Sequence, residues 1–212
     1  FYTKGVSAGS SYVDVKDSYV YGETFNFEKY TVAADGSVTK STLAPGAISW
    51  TLPSGAGTDV SPRFSAGRAG WVGTAKFTED GTTYSVNIVP RAIEIVGLED
   101  YTFAYRDGSA GDLWGMISFS GLVDDWASAD GFVKNDYGKY PALELVIGDS
   151  AGIESSGYPT APGAYAARFE KNSRQSSNGN YTLSCPTVKL TITGQTYPIT
   201  VGIHSLNDPT MG

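Results

Sequence analysis

Apolar and polar residues alternate along much of this chain. The period of two is clearest at Tyr12-Val13-Asp14-Val15, Arg91-Ala92-Ile93-Glu94-Ile95 and Val188-Lys189-Leu190-Thr191-Ile192. Each predicts a strand with one face on a core and the other in water. Asp-Gly pairs sit between further candidate strands, Asp35-Gly36 after Tyr30-Thr31-Val32 and Asp80-Gly81 after Lys76-Phe77-Thr78-Glu79. That dipeptide supplies the positive φ angles of a tight type I′ hairpin turn. No window of ten or more residues shows a convincing 3.6-residue period; residues 124–131 predict one short helical turn at most.

Part of this pattern is written twice. Tyr84, Val86, Ile93, Ile95 and Gly97 return ninety-seven residues later, with no gap, as Tyr181, Leu183, Leu190, Ile192 and Gly194. Upstream, Gly70-Trp71-Val72-Gly73-Thr74-Ala75-Lys76-Phe77 resembles Gly163-Ala164-Tyr165-Ala166-Ala167-Arg168-Phe169. A repeat of this length predicts tandem β-modules rather than one enzyme around one pocket. The expected fold is therefore all-β, with two tandem Ig-like β-sandwich modules at 1–90 and 91–194, each closed on its own core. Residues 195–212 are then an extension or the start of a further strand. The alternating segment at Tyr12 opens the first module; that at Arg91 opens the second and that at Val188 closes it. Pro90 lies between strands, so the join is short and stiff. Residues 171–180, with Asn178-Gly179, read as a longer hairpin tip equivalent to Asp80-Gly81. Residues 44–70 and 148–163 read as long loops over the ends of the modules, where binding residues gather.

Composition narrows the functional classes. The net charge of -7 and singly scattered basic residues exclude a nucleic-acid footprint, which needs clustered Lys and Arg. No apolar run is long enough to span a membrane as a helix. The first residue is Phe1 rather than Met, as in a processed product or a piece of a longer chain. The single cysteine, Cys185, allows no disulfide within the chain and reads as a buried, inert thiol.

Several short motifs add a resemblance. In order, they are Val13-Asp14-Val15 with Tyr21-Gly22-Glu23, Ser120-Gly121-Leu122-Val123-Asp124-Asp125, Ala161-Pro162-Gly163-Ala164-Tyr165, and Asn180-Tyr181-Thr182-Leu183 with Leu190-Thr191-Ile192. This order resembles the MBG and YDG-type Ig-like repeats of bacterial surface proteins. The second module departs from the pattern, with Tyr105-Arg106-Asp107-Gly108 where a Tyr-Gly-Asp start belongs, and the first lacks the Ser-Gly-Leu-Val element. The resemblance implies extracellular, non-enzymatic stalk or adhesin modules.

Candidate chemistry is sparse. Gly148-Asp149-Ser150 mimics a serine-nucleophile motif, but a nucleophile needs a base, and the only histidine, His204, lies downstream. Asp124, Asp125 and Asp130 with Gly131 hint at a calcium loop without its alternating ligand spacing. Asp14, Asp17, Glu99 and Asp100 could supply carboxylates between modules. Lys16 is the one opening-strand lysine available for an isopeptide crosslink. Trp126, flanked by Asp124 and Asp125, is the best candidate for a ligand or partner surface, together with Tyr158, because aromatics concentrate at interfaces. Trp71 is expected in the core. No cofactor or metal is expected.

The sequence thus predicts a structural or adhesive module at the cell surface that meets a protein or glycan, or copies of itself. The alternatives are a self-assembling subunit of a filament or virion, with residues 195–203 adding a strand to a neighbour, and a carbohydrate-binding module.

Overall fold

The computed structural model describes residues 7–105, 107–149, 159 and 161–194. The chain is all-β, with short helical turns between strands. The strands are β1 (Ser11–Asp14), β2 (Tyr19–Val20), β3 (Phe27–Val32), β4 (Val38–Leu43), β5 (Trp50–Thr51), β6 (Gly73–Glu79) and β7 (Thr82–Val89). After Pro90 come β8 (Arg91–Val96), β9 (Tyr101–Ala104), β10 (Ser118–Ser120), β11 (Leu143–Asp149), β12 (Gly163–Lys171), β13 (Tyr181–Ser184) and β14 (Val188–Thr193). Two short α-helices, α1 (Ser61–Ser65) and α2 (Leu113–Met116), lie in segments whose sequence carried no helical period.

The described residues form four sheets, in the orders β1-β3-β4, β2-β7-β6-β5, β10-β8-β13 and β11-β12-β14-β9. Among the described residues no sheet contains strands from both sides of Pro90. On the N-terminal side the two sheets face each other through aromatic rings. Phe27 of β3 meets Phe77 of β6 at 5.2 Å between centroids, and Trp50 of β5 packs on both. These side chains come from the inward-facing, every-second positions of their strands, which is how the alternation read in the sequence becomes a core.

The two sides share a plan. The first strand of each pairs antiparallel, β1 with β3 and β8 with β10. The chain then changes sheets, and the second strand runs parallel to the last one, β2 beside β7 and β9 beside β14. By this plan β7 corresponds to β14 and β6 to β12. The ninety-seven-residue repeat is therefore out of frame, because it lays β7 on β13 and β8 on β14. Only the upstream likeness, residues 70–77 against 163–169, joins equivalent strands. The environments confirm the mismatch. Tyr84 is half-buried and stacks on Phe77, with its hydroxyl accepting from the Val13 amide at 3.0 Å, whereas Tyr181 is fully buried.

Three other expectations are corrected. Residues 171–180 are not a hairpin tip: β12 pairs with β14, and the segment crosses to deliver β13 onto β8 in the other sheet. Residues 44–70 are more than a connection, since they contain β5 and α1 and bury Val60 and Phe64. Nor do the two sides enclose separate interiors. Buried apolar residues from Val13 to Leu190 belong to one contact cluster that runs across Pro90. Trp71 precedes β6 and is half-buried at the edge of that cluster.

Candidate functional site

Among the described residues, the richest polar cluster sits where the two sheet systems meet. Asp130, only 1% exposed, lies at its centre. A buried carboxylate must be paired and hydrogen-bonded, and this one is. Its Oδ2 accepts from the Tyr21 hydroxyl at 2.7 Å and from the Tyr181 hydroxyl at 2.9 Å. The Arg63 guanidinium lies 3.4 Å from Oδ1 and also donates to the Tyr21 hydroxyl oxygen. The Asp130 carbonyl accepts from Ser177 Oγ at 3.2 Å.

Each partner is positioned by a local feature. Tyr21 follows β2 directly, and its amide donates to the Val89 carbonyl at 2.9 Å, so it extends the β2–β7 pairing by one step. Arg63 is carried by α1, whose Phe64 is driven into the core. Asp130 ends a helical stretch that starts with Asp124–Trp126, its amide donating to the Trp126 carbonyl at 2.9 Å. Tyr181 opens β13, the strand brought across by residues 171–180.

Around this centre lies a second ring of contacts. The guanidinium carbons of Arg63 and Arg68 stand 4.4 and 4.3 Å from the centroid of the Trp126 ring, and Tyr21 leans on the same indole. Arg68 also pairs with Asp125. Arg91 Nε donates to the Tyr21 carbonyl at 2.7 Å, and the Val72 amide donates to Asn180 Oδ1 at 3.0 Å. Gly22 has a positive φ of 82° and sits so close to Val123 that a β-carbon there would collide with its side chain. Every one of these contacts joins residues before Pro90 to residues after it or to Arg91 beside it.

The electrostatics suit a permanent clasp. Burial, and then repulsion from Asp130, raise the Tyr21 phenol far above its ordinary pKa, and the same causes raise Tyr181. Both therefore stay protonated and keep donating to the carboxylate.

The residues singled out from sequence fall as follows. Trp126 is half-buried, with cations over its ring, and its contacts point inwards. Asp125 is exposed and tied to Arg68, while Asp124 is exposed beside it. Tyr158 lies outside the described residues, as do Ser150, His204 and residues 195–212. The strand before the Gly-Asp-Ser motif does not stop at Ile147 but continues as β11 to Asp149. Lys16 reaches Glu23 at 2.6 Å. Asp100 accepts from the Lys189 amide at 2.8 Å. Among the described residues no group of three or more His, Cys, Asp or Glu gathers as a metal site would require. Cys185 is half-buried rather than buried, and burial raises its thiol pKa.

Sequence reasoning missed Tyr21, Arg63, Arg68 and Tyr181 as site residues. The signal was present in the motifs: Tyr21-Gly22, Leu122-Val123-Asp124-Asp125 and Asn180-Tyr181 come from three separate segments and converge on this one joint.

No known protein family matches the sequence, and no curated protein matches it either. Among solved structures, the chain is similar to domains 6-7 of the surface layer protein SbsC. That likeness has a TM-score of 0.29 and 11% identity, over 88% of this chain and 99% of that one. A likeness so distant carries no weight for function. Among the described residues no helix is long and apolar enough to cross a membrane.

Proposed function

We propose that this chain is a non-enzymatic structural module of a bacterial surface protein, two Ig-like β-sandwiches at 1–90 and 91–194 locked in tandem. The observation that carries this reading is the clasp around Asp130. A binding protein or enzyme offers convergent polar groups to a ligand. Here the most elaborate set of such groups is consumed inside the molecule, fixing one half against the other. The shared strand plan supports two units, and the motif order of the MBG and YDG-type repeats supports a surface setting. Pro90 adds to the stiffness by passing the chain from β7 to β8 without a spacer. An adhesive role would fall to exposed loops and strand edges rather than to the clasp.

X-ray scattering of the full chain, combined with light scattering at two concentrations, tests this. A stiff monomer gives one distance distribution that matches the structure and does not change with concentration. Tyr21→Ala broadens that distribution by freeing the joint. A wild-type profile that already requires many inter-half angles would sink the reading. Growth in mass with concentration would favour the self-assembling subunit instead. For the carbohydrate-binding alternative, glycans would have to quench Trp126, whose ring is already covered by Arg63 and Arg68.

A further inference from the structure

The strand registers assign the two halves unequal resistance to being pulled along the chain. In each half the second strand runs parallel to the leaving strand, β2 beside β7 and β9 beside β14. Tension that passes the entering strand pulls the second strand from its N-terminal end and the leaving strand from its C-terminal end. The two forces are then opposed along the strand axes, and the bridging hydrogen bonds share the load together rather than opening one after another. How many residues lie in register therefore sets the force each half withstands.

The halves differ sharply in that register. After Pro90, Tyr101 to Ala104 pair with Leu190 to Thr193, and a second parallel pair sets Arg91 to Glu94 against Tyr181 to Ser184. The entering strand β8 is also held on its other side by β10. Before Pro90, the parallel register is only Tyr19 with Ile88 and Val20 with Val89. The entering strand β1 is an edge strand among the described residues, paired along its length with β3 and tied to β7 only through the Val13 amide and the Tyr84 hydroxyl. What reinforces the short pair is the clasp, since Tyr21 follows it and is bonded through its hydroxyl to Asp130 and through its carbonyl to Arg91.

We propose that the chain is a two-stage tension element. The N-terminal half yields first, at a threshold set by its grip on the C-terminal half, and the C-terminal half holds to higher force. This rests on the two-unit reading given above and adds to it an order of failure and the residues that set it.

Single-molecule pulling on the full chain between handles tests both. At roughly 3.6 Å per residue, Ser11 to Val89 span about 280 Å when extended and Arg91 to Thr193 about 370 Å, and each release lengthens the chain by that span less the folded end-to-end distance. The shorter step is expected first and at lower force. At clamped force, Tyr21→Phe should raise the rate of that step by about tenfold or more, as loss of the hydroxyl's hydrogen bonds to Asp130 and Arg63, both charged, implies. The longer step should not change, because Tyr21 is by then in extended chain. Arg63→Gln should act in the same direction, so the result does not hang on a single variant. A longer step that comes first, or a Tyr21→Phe chain with an unchanged first step, would overturn the proposal and leave two units standing. A single step that releases the whole chain would overturn the two-unit reading itself.

Discussion

Asp130 shows how one residue can govern a joint. Its carboxylate is buried and answers to two phenols and a guanidinium, so removing it takes a shared partner from three polar groups at once. Asp130→Ala should cost about 3 kcal/mol or more of unfolding free energy, the scale for breaking a buried pair. Asp125→Ala removes an ion pair whose carboxylate is 61% exposed, and should cost under about 1 kcal/mol. Urea titrations of both variants check the contrast. The phenols add a pH dependence whose sign follows from their raised pKa values. Folding favours their neutral form, so the contribution is whole below about pH 10, the unfolded value, and drains away as pH rises beyond it. Stability measured from pH 8 to 11 should fall in the wild type and fall less steeply in Tyr21→Phe. Cys185 follows the same logic: burial favours the thiol over the reactive thiolate. Its alkylation at pH 8 should run well below that of a free cysteine and rise to the free rate in urea.

At the level of strands and turns, the alternating pattern was a dependable guide, because a half-buried strand must place every second side chain inwards. β1, β8 and β14 lie within a residue of where their sequences placed them. The Asp-Gly turns were half legible. Asp80 and Gly81 both take positive φ, at 46° and 77°, as a type I′ turn demands. At Asp35-Gly36 only the glycine does, and the Ala33 amide donates to the Ser37 carbonyl across a longer loop. The dipeptide signals a hairpin, but loop length decides which one. Strand partners were not legible at all. Thr182, Leu183 and Ser184 look like the matching part of β7, yet they pair with β8, with Tyr181 at the head of their strand reaching Asp130, a residue fifty-one positions upstream. Nothing local encodes that choice. The helices α1 and α2 escaped notice for a similar reason, since four or five residues are too few to show a period. Gly97 offers a test at this scale. It has a φ of 84°, and an added β-carbon would lie 2.5 Å from the Met116 carbonyl. Gly97→Ala should lower stability by about 1–3 kcal/mol in thermal melts, more than Gly81→Ala, where the site is sterically open.

For the whole molecule, shared burial and the clasp together imply cooperative behaviour. A contact cluster that crosses Pro90 makes each half depend on its neighbour. The wild type should unfold in urea in one transition, with tryptophan fluorescence and far-UV signal coincident. Asp130→Ala should split that curve into two, as the N-terminal half comes loose while the C-terminal half stays folded. Coincident curves in the variant would show that apolar packing alone couples the halves.

The seam has a bearing on ancestry. An excised copy of residues 91–194 would turn Val123, Trp126 and Tyr181 out to solvent and deprive Asp130 of its guanidinium partner. Recombination that duplicated or transplanted a lone half would thus deliver a sticky, weakened cassette. The portion of gene that can be shuffled without penalty is the couple, inherited as one.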